Sequence, residues 1–184
     1  MYKCRDFSDE LLKNAEAHLS KRTGLKFRVM ITNSLSKELT SDLMEIENKA
    51  FRSELRYTIE EFLERAKKRN FLLLAVYACS KPIGFAFGYE DNNESFYLDT
   101  LATLIEGKGI GTILFRLISI FCFKKGFRHI TTSTESGDKE RSPIRFYEKM
   151  GFYRIPCVSS EGIAMRKDIN HNTINDYILY ISRR

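Results

Sequence analysis

The sequence predicts a single α/β domain with a mixed sheet. Three observations carry that reading. Apolar runs of strand length alternate with helical patterns, turn residues punctuate them, and no linker, internal repeat or low-complexity tract divides the chain. At 184 residues with 43% hydrophobic content, the chain suits one domain with one sizeable core.

Each element follows from its local pattern. From Ser8 to Arg22, Leu11, Leu12, Ala15 and Leu19 recur at helical spacing, and Thr23-Gly24 supplies the stop. Phe27 to Thr32 reads as a strand. Helical patterns follow over Lys37–Phe51 and Thr58–Arg69, with Thr58 and Glu61 at capping-box spacing. The apolar run Phe71 to Ala78 is a strand, and Ser80-Lys81-Pro82 turns the chain into a second strand, Ile83 to Tyr89. There Ile83, Phe85, Phe87 and Tyr89 share one face. Gly84, Ala86 and Gly88 leave the other nearly bare, so a helix or another group is expected to approach closely. Glu90 to Glu94 is a polar turn into the strand Ser95–Leu104. After it, Ile110, Ile113, Leu114, Leu117, Ile118 and Phe121 form one stripe of an amphipathic helix, closed by Lys124-Lys125-Gly126. Arg128 to Thr134 is a strand, Glu135 to Arg141 a polar loop, and Ser142-Pro143 opens a short helix that Gly151 ends. Phe152–Ile155 and Gly162–Lys167 are closing strands. The tail ends in YILYI, an added strand or short helix.

Composition excludes several classes. The longest uncharged apolar run, Phe71 to Cys79, falls far short of the roughly 20 residues of a membrane span. The start MYKCRDFSDE lacks the apolar centre of a signal peptide, so a soluble, cytoplasmic protein is expected. Cys4, Cys79, Cys122 and Cys157 form no C-x-x-C pair and read as reduced thiols; with His18, His129 and His171 they offer no zinc spacing. No metal is expected. The formal charge of +6 favours polyanions. Lys67-Lys68-Arg69 and Lys124-Lys125, however, fall at predicted helix ends, where cations complement the helix dipole.

The stretch EGKGIG, residues 106–111, places three glycines between a strand and a helix. A glycine-rich turn at a helix N-terminus gathers unpaired N–H groups and a positive dipole end on one spot, which suits a pyrophosphate. Two familiar phosphate motifs fail on spacing. A Walker A loop needs Ser or Thr after Gly-Lys, where Gly109 stands; a dinucleotide fingerprint needs a third glycine where Thr112 stands.

The strand YLDTLATL, the EGKGIG turn with its long helix, and the later FYEKMGF at residues 146–152 together resemble the GNAT superfamily of acetyl-CoA-dependent N-acetyltransferases. That family carries Arg or Gln, two residues, Gly, one residue, then Gly or Ala, and later F-Y-x-x-x-G-F. The resemblance spans Phe27 to about Asp168. It implies a mostly antiparallel central sheet flanked by helices over residues 27–168, with an N-terminal helical extension (1–26) and a C-terminal tail (169–184) added. Three departures stand out: Glu106 replaces Arg or Gln, the connection from the strand to the glycines is shorter than usual, and Glu140 stands where many members have Asn.

The same resemblance implies an acetyl-CoA site. Leu101, Ala102 and Thr103 would lie beside the acetyl-pantetheine arm, and Glu106, Gly107, Lys108, Gly109, Ile110, Gly111 and Thr112 around the pyrophosphate. Tyr147 matches the family tyrosine that protonates the departing thiolate and also lies beside the cofactor. A phenol with an ordinary pKa of about 10 stays protonated at neutral pH and so can donate. Two carboxylates compete to attract the acceptor ammonium and take its proton. Glu135, twelve residues before Tyr147, has the spacing of the catalytic glutamate in ribosomal-protein N-terminal acetyltransferases; Asp99 lies on the central strand. The implied partners are acetyl-CoA and an amine, whether a protein N-terminus, a lysine or a small amine. Nucleic acid is disfavoured, no membrane partner is expected, and a homodimer is left open. The acidic residues Glu54, Glu60 and Glu61 suit a cationic acceptor or are simply solvated. The rival reading is a non-catalytic module of the same fold that binds coenzyme A or another polyanion, and Glu106 is its best argument.

Overall fold

The computed structural model describes residues 9–134, 143–156 and 162–182. Its elements run α1 (Asp9–Thr23), β1 (Phe27–Thr32), α2 (Lys37–Ala50), a 3-10 turn (Ser53–Leu55), α3 (Ile59–Ala66), β2 (Leu72–Ala78) and β3 (Lys81–Asn92). They continue with β4 (Ser95–Thr103), α4 (Ile110–Lys125), β5 (His129–Thr134), α5 (Pro143–Lys149), β6 (Tyr153–Arg154), β7 (Ile163–Asp168) and α6 (Asn172–Ser182). One sheet carries the strand order β1-β2-β3-β4-β5-β7-β6 and is antiparallel throughout except between β4 and β5. The mixed, mostly antiparallel sheet flanked by helices agrees with the sequence reading. No helix among the described residues is long and apolar enough to cross a membrane.

Every residue of β2 is buried, because the sheet is covered on both faces. Leu72, Leu74, Val76 and Ala78 join a core with Ala15, Leu19, the apolar residues of α4, Tyr147 and Tyr177. Leu73, Ala75 and Tyr77 face Leu39, Leu43, Ile46 and Phe62 of α2 and α3. The predicted capping box of Thr58 with Glu61 forms in full, and the structure adds a second cap, Ser36 Oγ accepting from Leu39 N at 3.2 Å.

Two strand details depart from the sequence reading, and both trace to the β2–β3 hairpin. Its turn is the pair Cys79-Ser80, with φ of 48° and 68°, so Lys81 and Pro82 already belong to β3. Val76 then faces Gly84 while Tyr77 faces Pro82, leaving Ile83 as an extra residue. That bulge turns Ile83 into the α4-side core, whereas Phe85 and Phe87 face α2 and α3, so the four large residues do not share one face. The bare side of β3 is filled by packing. A Cβ on Gly84 would lie 2.9 Å from the Ala102 carbonyl oxygen and 3.3 Å from Ile110 Cγ2, and one on Gly88 would collide with the Tyr97 carbonyl and the Phe96 ring.

The tail forms a helix, α6, rather than a strand. Its Tyr177 is fully buried and donates to the Leu11 carbonyl at 2.7 Å, tying the C-terminal helix to α1. With α6 packed against it, α4 is buried well beyond its predicted stripe, Phe115, Ile120 and Cys122 included.

Candidate active site

The site begins where the central sheet opens. β4 and β5 pair only through Ser95–His129, Phe96–Ile130 and Tyr97–Thr131, although β4 runs on to Thr103 and β5 to Thr134. Beyond Tyr97 the strands part, leaving the β5-facing edge of β4 from Leu98 to Thr103 without a ladder partner among the described residues. A second bulge stands at this point. Thr100 faces Phe87 and Leu98 faces Gly88, so Asp99 is the extra residue. The three predicted arm residues lie on the opened edge. Leu101 packs toward the first turn of α4, with Cδ2 3.3 Å from where a Gly111 Cβ would stand; Ala102 faces the opposite core; Thr103 Oγ1 accepts from Ile105 N at 3.3 Å and bends the chain into the glycine turn.

That turn has the geometry of an anion cradle. Gly107 and Gly109 take φ of 72° and 86°, which L side chains rarely adopt, and a Cβ at Gly107 would meet nothing within 4 Å. Gly109 is the N-cap of α4 and supplies no side-chain cap. The first helical bond runs from Ile113 N to Gly109 O at 3.0 Å, so Ile110, Gly111 and Thr112 present N–H groups with no acceptor within the helix. Glu106 and Lys108 are exposed, and Ile110 is buried against Gly84. Uncapped donors, with open space at Gly107, fit the pyrophosphate of coenzyme A.

Tyr147 on α5 is buried, with its ring 5.4 Å from Phe146 and 5.1 Å from Phe152, both edge-on. Burial pushes its phenol up to about 12; the Thr132 hydroxyl opposes this, while Tyr97 and Asp99 reinforce it. Those neighbours come from both arms of the opening, Thr132 from β5 and Tyr97 with Asp99 from β4. Thr132 Oγ1 is itself buried without a hydrogen bond of standard geometry, so its effect on the phenol is one of proximity. The phenol therefore stays protonated, with neighbours on both of the strands that part.

Asp99 is almost enclosed, with 4% of its side chain exposed. Its Oδ1 accepts from Tyr57 Oη at 2.5 Å and its Oδ2 from Arg65 Nε at 2.9 Å; the Arg65 guanidinium also lies 4.1 Å from the Tyr57 ring centre. Burial and then the Asp99 charge drive the phenols of Tyr57, Tyr89 and Tyr97 upward, so these groups stay neutral donors around the carboxylate. Glu135, the competing carboxylate, and Glu140 lie outside the described residues, as do Cys4 and Cys157. Of the acidic residues considered for the acceptor side, Glu61 is engaged in the capping box, accepting from Thr58 N at 2.8 Å.

The structure adds a residue that the sequence reading passed over. Glu47 is fully buried, and neither carboxylate oxygen has a hydrogen-bond partner. Burial raises its carboxyl to about 7, the nearby Tyr57 backbone N–H, outside standard hydrogen-bond geometry, lowers it in part, and Asp99 raises it further. Its signal was the helical period: Leu39, Leu43, Ile46 and Glu47 share the inward face of α2.

Comparison with known proteins agrees with this geometry. The description of the acetyltransferase (GNAT) family matches residues 36–152. Among curated proteins no match to the chain is found. Solved structures with the same fold include a PaiA N-acetyltransferase from Thermoplasma acidophilum in complex with coenzyme A, at 21% identity and a TM-score of 0.63 over 76% of this chain and 98% of that one. The ribosomal-protein-S18-alanine N-acetyltransferase of Escherichia coli follows at 18% identity and 0.62, over 77% and 94%. An aminoglycoside 6'-N-acetyltransferase from Enterococcus faecium gives 16% and 0.62, over 77% and 97%. Between the parted strands, the uncapped glycine turn and a family match over more than half of its length, the chain belongs to the GNAT family of acetyltransferases.

Proposed function

We propose that the protein transfers the acetyl group of acetyl-CoA to a primary amine of a peptide, protein or small molecule by direct attack. What supports this reading most is the buried Tyr147 phenol, whose neighbours Thr132, Tyr97 and Asp99 come from β5 and β4, the two strands that part, in a chain whose glycine turn opens α4 without a side-chain cap. Acetyl-CoA supplies the activated thioester. The N–H groups of Gly107 to Gly111 hold its pyrophosphate, and the unladdered edge of β4 near Leu101 to Thr103 donates to the carbonyl oxygen as charge develops there. The amine nitrogen bonds to the carbonyl carbon, the carbon–sulfur bond breaks, Tyr147 Oη gives its proton to the thiolate, and the proton that the nitrogen sheds on becoming an amide restores the phenol.

The acceptor arrives as an ammonium and must lose a proton first. Asp99, with both oxygens engaged by Tyr57 and Arg65, serves to draw and orient the cation rather than to take its proton. Glu135, directly after the last residue of β5, takes the proton, through water or directly. The related folds act on a ribosomal-protein alanine and on aminoglycosides, which supports both a peptide and a small cationic acceptor.

A thiol-release assay with acetyl-CoA over a panel of amines and peptide N-termini tests the proposal. Tyr147→Phe is expected to lower kcat by about 10²-fold, in the range of general acid catalysis, with KM for acetyl-CoA unchanged. Unaltered turnover in this variant would remove Tyr147 from the mechanism. Glu106 favours a second reading, a coenzyme A-binding module without catalysis; thermal stabilisation by coenzyme A with no turnover across the panel would select it.

A further inference from the structure

We propose that Arg22 and Tyr180, carried by the two terminal helices, complete the pyrophosphate site at the glycine turn. The inference rests on the coenzyme A reading above and adds two residues that lie outside the family-matched segment, residues 36–152. A Cβ built on Gly109 would stand 2.5 Å from Tyr180 Oη and 3.8 Å from both Cζ and Nη1 of Arg22. A phenolic donor and a guanidinium therefore converge on the N-cap of α4, where the unsatisfied N–H groups also point.

Their placement is built rather than incidental. Tyr180 is held by the Arg116 guanidinium 4.9 Å from its ring centre and by the His18 ring at 5.0 Å. His18 Nδ1 in turn lies 3.1 Å from the Ile181 carbonyl oxygen, and Tyr177 Oη donates to the Leu11 carbonyl, so α1 and α6 are clasped beside α4. Tyr180 Oη makes no hydrogen bond among the described residues, and exposed Arg22 makes no ion pair among them. Both groups are free to donate to a ligand.

The arrangement answers the anomaly at Glu106. Where the family carries Arg or Gln, this chain presents an exposed carboxylate beside the anion site, which Lys108 alone only neutralises. Arg22 restores a net positive charge from another element, and its planar fork suits two phosphate oxygens. Gly109 is also required here for space: any side chain would displace Tyr180 Oη as well as strain a φ of 86°.

Titration calorimetry of coenzyme A against the full chain, at low and at moderate salt, tests this. Arg22→Ala is expected to weaken binding about tenfold or more at low salt, as loss of a charge-assisted hydrogen bond does, and to flatten the salt dependence. Arg22→Lys recovers part of the loss, and Tyr180→Phe weakens binding several-fold with an unchanged salt slope. Since Arg22 is exposed and Tyr180→Phe deletes one oxygen, thermal midpoints should stay near that of the parent. Parent-like affinity and salt slope in Arg22→Ala overturn the inference while leaving the coenzyme A reading intact. A parent protein that binds no coenzyme A overturns both.

Discussion

Replacing Glu47 by glutamine should stabilise the protein in alkaline solution and not in acid. In the fold the carboxyl titrates at about 7, against 4.5 for a free side chain, chiefly because α2 buries it with no hydrogen bond to either oxygen. The charges that face it are Asp99 on β4, Glu61 on α3, and Arg56 before α3. Because the folded value is the higher one, the native state keeps a proton that the unfolded chain has released. The stability owed to this carboxyl is complete below 4.5 and is lost as pH rises through about 7. At about 1.4 kcal/mol for each pH unit between the two values, the loss is about 3 kcal/mol. Glutamine, neutral at every pH, does not incur it, although its buried amide costs about 1 kcal/mol for donors left without acceptors. Urea unfolding of both proteins at intervals from pH 4.5 to 8.5 measures the difference directly. The variant is expected to be slightly less stable at the acid end and about 2 kcal/mol more stable above pH 8. A gap that stays constant across the range, or grows toward acid, would refute the account of a buried, unpartnered carboxylate.

Two further perturbations address the frame around the site. Removing one partner of the enclosed Asp99–Arg65 pair should cost about 3 kcal/mol, or about 6–12 °C in midpoint for a chain of this size, because the other charge is left without its partner. In a thermal double-mutant cycle, Asp99→Ala with Arg65→Ala is therefore expected to cost less than the sum of the singles; strict additivity would show the pair to be uncoupled. Gly88→Ala would drive a methyl into the Tyr97 carbonyl and the Phe96 ring, neither of which can retreat from the middle of the sheet. We expect a loss of about 3 kcal/mol or more and poor yield of folded protein, and normal unfolding behaviour would contradict the packing described for β3.

The order of elements was legible in the sequence because periodicity, caps and turn glycines are local properties of the chain. The capping box at Thr58 forms as read, and every residue of the stripe from Ile110 is buried, although packing buries more of α4 besides. The glycines likewise marked the turn itself, since the left-handed φ of Gly107 and Gly109 and the uncapped helix start at Gly109 follow from residue type and spacing. What pairing decides was not legible. The bulges at Ile83 and Asp99 depend on which residues of the next strand stand opposite, and they alone settle the face of Ile83 and the position of Asp99 at the opening. The parting of β4 from β5 is likewise a relation between strands that no single segment encodes. Tertiary contact also fixed what the terminal additions do. A helix pattern near residue 15 and an apolar tail near residue 179 do not announce that they clasp and bring Arg22 and Tyr180 to Gly109. The chain by itself thus determined the elements and the chemical vocabulary of the site. Which carboxylate is paired, which is buried alone, and which distant side chains reach the glycine turn were decided by packing, because burial and charge partnership exist only once distant segments meet.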